Sequence, residues 1–200
     1  MINISSRGWI YRICGIDNGT NTMGVIISDH HLKTGESDII FAKTITADRT
    51  AYLRHPGIAQ NRGKLEARIE VLKPFVRDIF EEFDPDVVGI ESPFSHIGVH
   101  AYTTLLMSMI AVADEAYEHR STMDFIKVSP GKAKVRTCPP GKFVTNGPNK
   151  TTKEDIRRFI LANPKISSSV GINLEELDEH CIDGISVEQY LAWEASRAFR

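Results

Sequence analysis

Asp17, Glu91, His180 and Asp183 are the side chains of this sequence whose types could do chemistry together. Three carboxylates and an imidazole suit hard divalent cations, which favour oxygen ligands, keep part of their water shell and need no cysteine cage. Two such ions about 4 Å apart activate a water, neutralise a phosphodiester and stabilise the leaving oxygen. The set therefore predicts metal-dependent hydrolysis of nucleic acid, with two Mg²⁺ ions and Mn²⁺ able to substitute. In that scheme Asp17 bridges both ions, Glu91 and Asp183 hold one each, and His180 either ligates or orients the attacking water as a general base. Asp178 and Glu179 are the stand-ins if the last helix is one turn out of phase.

Each of these residues lies at the end of a predicted element. The β-branched run from Ile10 to Ile16 reads as a strand ending at Asp17, with Asn18-Gly19-Thr20 as a tight turn into a returning strand. After the break at Asp84-Pro85-Asp86, the apolar run Val87-Val88-Gly89-Ile90 has the character of a strand covered on both faces. Glu91 stands at its carboxyl end, the edge of an α/β sheet where ligands bind. From 174 to 195 the spacing is helical, with Leu177, Cys181 and Ile185 as the core stripe and His180 and Asp183 three apart on a neighbouring face. Taken singly, the residues have ordinary explanations: Asp before Asn-Gly is a turn former, and a Glu ending a strand is often merely solvated. Their joint occurrence raises the odds.

Strands are predicted at 10–16, 22–28, 38–45, 86–91 and 124–128, and helices at 58–82, 98–119, 152–162 and 174–195. Three strands followed by alternating helix and strand give an α/β arrangement with an antiparallel edge. Four separated blocks then carry a family resemblance: Gly15-Ile16-Asp17-Asn18-Gly19 with Gly24; Val88 to Phe94; Val128-Ser129-Pro130 through Lys134 to Lys153; and His180-Cys181-Ile182-Asp183-Gly184. In their order and spacing the chain resembles the RuvC-type Holliday junction resolvases of the RNase H-like superfamily. The resemblance implies a five-stranded mixed sheet, three strands antiparallel and two parallel, flanked by helices. It also implies a homodimer that nicks four-way or other branched DNA symmetrically, with Phe94 at the position from which the family presents a wedge to the junction centre. The leader from Met1 to Gly8 and the long segment from Arg136 to Thr151 depart from the bacterial pattern and suit divergent phage-borne relatives better.

Charge is segregated in a chain whose formal net charge is only −2. From Lys127 to Lys153 there are seven Lys or Arg, including Lys132, Lys134, Arg136, Lys150 and Lys153, and no Asp or Glu. With its prolines and glycines this stretch is predicted to be a mobile loop that orders on a phosphate backbone. A second basic group, Arg49, Arg54, Arg62, Lys64 and Arg68, flanks the long helix and is more simply an exposed helix face. Phe94, if it projects rather than caps the core, can stack on an unpaired base. The helix from 98 to 119 is apolar more than halfway round, so part of it is expected to pair with a second copy.

The 200 residues suffice for one domain spanning 1–200. Cys14, Cys138 and Cys181 lack C-x-x-C spacing, which fits a reducing cytoplasm and predicts no zinc site. No apolar stretch reaches about 18 residues, so neither membrane nor export is expected. Two other classes compete. Gly15 to Thr20 is similar to the first phosphate loop of the sugar kinase and actin superfamily, but no second Asp-x-Gly loop follows. The other is a silent RNase H-like DNA-binding module, or a nuclease for RNA/DNA hybrids or flaps, since the same metal chemistry cuts many nucleic acids.

Overall fold

Alternation along the first two strands decides which layer each side chain joins. In the computed structural model, which describes residues 8–47, 50–93, 98–145 and 150–199, β1 (Ile10–Asp17), β2 (Thr22–His31) and β3 (Glu36–Thr46) form an antiparallel meander. β4 (Val87–Glu91) joins β1 in parallel, and β5 (Asp124–Val128) joins β4 in parallel. The predicted mixed sheet is therefore present, with one addition. A two-residue strand, β6 (Ile166–Ser167), pairs in parallel with β3 and gives the order β5-β4-β1-β2-β3-β6. Its brevity hid it, since two residues carry no period and only Ile166 is buried.

Successive strand residues face opposite layers. Cys14, Ile16, Met23, Val25, Val88 and Ile90 pack under α2 (Lys64–Phe83) and α3 (Val99–His119). Tyr11, Ile13 and Val87 pack on the other face against Val187 and Leu191 of α6 (Glu179–Ala198), beside α4 (Pro130–Thr137). A third cluster joins Ile26 and Ile39 to α5 (Lys153–Leu161) through Ile156 and Ile160. Glycines at 15, 24 and 89 and the polar residues Thr22 and Ser28 fall in the register that faces α6, so that helix has unusually close access to the sheet.

Three predicted boundaries are corrected. The helix expected over 58–82 is two helices, α1 (Pro56–Asn61) and α2, because Gly63 at φ 122° breaks the run. The final helix starts at Glu179 rather than 174: residues 174–176 form a 3-10 turn and Asp178 caps α6, accepting the Cys181 amide at 2.9 Å. Within the expected loop of 127–153, Pro130 at the first helical position starts α4. Among the described residues no helix is long and apolar enough to cross a membrane.

The two helices of one layer are locked by charge. Glu115 of α3 is fully buried and takes Arg77 Nε at 2.8 Å and Lys73 Nζ at 3.4 Å, both from α2. Glu115→Gln leaves two cations that can swing to solvent and is expected to cost about 1–3 kcal/mol. Replacing Lys73 and Arg77 together by Met strands the buried carboxylate and is expected to cost more, about 3–5 kcal/mol. Urea unfolding of the two variants checks the order.

Candidate active site

The first two carboxylates meet because their strands are neighbours in parallel register. Ile16 pairs with Ile90, so Asp17 and Glu91 are the next residues at the same ends of adjacent strands, about 4.8 Å apart across the sheet. Both belong to the register that faces α6. Burial, and then the Asp17 charge beside it, push Glu91 up to about 8, against a smaller opposing pull from Lys134. Asp17 is also raised, by burial first, while the hydrogen bond from His180 draws it down and the Asp183 charge pushes it up. Burial outweighs what the hydrogen bond from His180 offsets at Asp17 and what the pull of Lys134 offsets at Glu91.

Close packing of α6 brings in the other two residues. A Cβ placed on Gly24 would lie 2.2 Å from the His180 carbonyl oxygen, and one on Gly15 would lie 2.4 Å from that of Gly184. Without side chains at these two points the first turn of α6 rests directly on β1 and β2. His180 Nδ1 then lies 2.7 Å from Asp17 Oδ2 and its Nε2 lies 3.0 Å from Thr22 Oγ. The network assigns the proton to Nδ1, donated to the carboxylate, and leaves Nε2 as the acceptor of the Thr22 hydroxyl. Asp183, one helical turn on, is buried and faces the same space.

Lysines close the cluster from α4 and α5. Lys134 Nζ lies 3.8 Å from Asp183 Oδ1, and Lys153 Nζ lies 3.6 Å from Asp183 Oδ2 and 2.8 Å from Glu179 Oε2. The capping box of Thr152 and Asp155 fixes the start of α5 and with it Lys153. The bond to Glu179 is the chief reason the Lys153 ammonium is held above its ordinary range.

The structure thus brings together Asp17, Glu91, His180 and Asp183, and adds Lys134 and Lys153. It splits the basic stretch, however. Lys132 and Arg136 lie on the opposite side of α4 from Lys134, and the Arg136 guanidinium sits 3.4 Å from the centre of the Trp193 ring. Lys150 is exposed and Phe94 lies outside the described residues, as does Arg49. Asp178 is taken up by its cap and by the Thr44 hydroxyl at 2.7 Å, and Glu179 by Lys153, so neither stand-in joins the carboxylates. Thr22 is not singled out by spacing; its place two residues before Gly24 on β2, in the α6-facing register, is the signal for it.

Among the described residues no three acidic, imidazole or thiol groups enclose a cation in the present side-chain arrangement. Asp183 is turned to its lysines and Asp17 to His180. The donor chemistry nevertheless fits a hard divalent ion: oxygen ligands predominate, and the two half-buried carboxyl groups at adjacent strand ends are both held above their ordinary range.

No protein-family model matches the sequence, and no curated protein matches it. Solved structures do. Thermus thermophilus RuvC in complex with a Holliday junction substrate has a TM-score of 0.66 at 13% identity, covering 94% of this chain and 96% of that one. The yeast mitochondrial Holliday junction resolvase has a TM-score of 0.61 at 14% identity, over 94% and 81% of the two chains. The fowlpox virus Holliday junction resolvase follows with 0.52 at 13%, over 94% and 99%. The chain shares the fold of these proteins, and its sheet has one short strand more than the five expected.

Proposed function

We infer that the protein is a Mg²⁺-dependent endonuclease that resolves four-way and other branched DNA, acting as a homodimer that places paired nicks. The observation that carries this reading is the meeting of Asp17 and Glu91, at adjacent strand ends, with His180 and Asp183 on the first turns of α6. Shared fold with junction-resolving proteins supports the choice of substrate. Asp17, Glu91 and Asp183 would hold the ions, and two Mg²⁺ supply charge neutralisation at the scissile phosphate and an activated water. His180 would take the water proton at Nε2, with the Thr22 hydroxyl turning away from that nitrogen and Asp17 holding the imidazole in the required tautomer through Nδ1. Lys134 and Lys153, already poised over Asp183, are the phosphate ligands nearest the chemistry. Lys132, Arg136, Lys150 and Phe94 serve the DNA arms and branch point in this reading. The exposed α3 side chains Tyr102, Ile110 and Tyr117 are the apolar patch for the second copy.

The test is cleavage of an immobile four-way junction in Mg²⁺ beside linear duplex, flap and RNA/DNA hybrid. Paired symmetric nicks confined to the junction are expected, with Asp17→Asn lowering the rate by at least about a thousandfold while binding persists. Cutting of flap or hybrid instead would retain the metal chemistry and replace the substrate. Binding without cleavage by the wild type in Mg²⁺ or Mn²⁺ would identify a silent DNA-binding module.

A further inference from the structure

Asp17 ends the β1 ladder; its pairing with Gly24 is the last between β1 and β2. Beyond it no strand bond among the described residues restrains the turn, yet the carboxylate must stay in register with Glu91 on the neighbouring strand. On the α6 side His180 holds Asp17 directly. Alternation sends the next side chain to the opposite face, where α3 waits. There Asn18 Nδ2 donates to the Leu105 carbonyl at 2.8 Å, and the hydroxyl of Ser108, itself 1% exposed, donates to the Gly19 carbonyl at 3.0 Å. Arg68 of α2 adds a bond to Asn21 Oδ1.

Packing does not account for these polar groups. Asn18 Oδ1 is buried and accepts no bond from any described residue, so the amide carries a desolvation penalty on its acceptor half for the sake of one donated bond. Ser108 likewise lines a small cavity with Met23, Leu72 and Val112, which Lys73 and Glu115 also border. Both bonds join the turn to one helix, one donated from each side, and both act within two residues of Asp17. Among the described residues α3 is also the first helix after Glu91.

We propose that Asn18 and Ser108 are positioning residues for the reaction, fixing the Asp17 turn to α3 so that Asp17 stays aligned with Glu91. The proposal rests on the nuclease reading for the identity of the reaction. Neither residue touches substrate in this account; both act through the backbone that carries Asp17.

The experiment compares Asn18→Ala, Ser108→Ala, the double variant and Ser108→Thr, which keeps the hydroxyl. Junction cleavage gives kcat and KM, and titration with Mn²⁺ followed by electron paramagnetic resonance gives cation binding without DNA. Each alanine variant is expected to lower kcat about tenfold and the double variant about a hundredfold, with KM unchanged. Half-saturation by Mn²⁺ should move upward, and Ser108→Thr should restore both. Variants that melt earlier yet keep kcat and Mn²⁺ binding well below their melting temperature would overturn the proposal, since the bonds would then be structural only. If the wild type binds Mn²⁺ but cuts no DNA, the nuclease reading fails and the Mn²⁺ titration still decides whether these residues position Asp17. If the wild type does neither, both fall.

Discussion

Glu91→Gln is expected to stabilise the metal-free protein at alkaline pH and to stop it cutting DNA. Burial and the Asp17 charge raise Glu91 to about 8 in the folded chain, whereas the unfolded chain ionises it near the ordinary carboxylate value of about 4.3. Between these values the folded protein holds a proton that the unfolded chain has lost. Stability is therefore present in full below the lower value and declines as pH rises through the window, by about 1.4 kcal/mol for each pH unit inside it. The amide cannot ionise, so the variant should lack this decline and melt higher than the wild type at pH 8. Added Mg²⁺ should reverse the order, because a cation stabilises the ionised wild type and finds a poorer ligand in the amide. Junction cleavage by the variant should fall at least about a thousandfold. Thermal melts at pH 5 and pH 8, with and without Mg²⁺, and one cleavage time course check each part. A wild type whose melting temperature rises between pH 5 and pH 8 without metal would show that the carboxylate is not held protonated.

Gly24→Ala should remove activity through geometry instead of charge. The new Cβ would stand 2.2 Å from the His180 carbonyl oxygen and 2.9 Å from the Cys181 amide nitrogen. These are backbone atoms, with no flexible side-chain end to yield, so α6 must lift from the sheet by on the order of 1 Å, carrying His180 away from Asp17. Misplacement on this scale costs about a hundredfold in rate, and the loosened packing costs about 1–3 kcal/mol. Gly57→Ala is the control: a Cβ there meets nothing within 4 Å, and a helical position gains from alanine. Cleavage assays and urea unfolding of both variants test the contrast. Full activity in Gly24→Ala would mean that the approach of α6 to β2 does not set the His180 position.

Part of the site was legible because strands and short-range signals are local. Period two put Asp17 and Glu91 at the ends of β1 and β4, and three-residue spacing put His180 and Asp183 on neighbouring faces of one helix. Other local signals were present but point two ways. Pro130 falls inside the stretch predicted to be a loop, although proline at a first helical position starts α4. Asp178 was weighed as a possible ligand, although an Asp ahead of Glu179 is also an N-cap, and the cap is its role. The basic stretch reads as one mobile loop because charge has no direction in a sequence; the turn of α4 sends Lys134 to Asp183 and Arg136 to Trp193.

What the sequence determined by itself is the set of chemical groups, the strands and helices that end in them, and the mixed α/β order of those elements. These follow from side-chain type and from periods of two and 3.6 residues, which need no knowledge of distant contacts. Tertiary structure alone decided that Lys134 and Lys153 neutralise Asp183, that Asn18 and Ser108 tie the Asp17 turn to α3, and that Gly15 and Gly24 are bare because α6 lies on them. Each depends on groups far apart in the chain, as Asp17 and His180 are at 163 residues. Close approach, shared burial and mutual charge exist only once the helices are laid on the sheet.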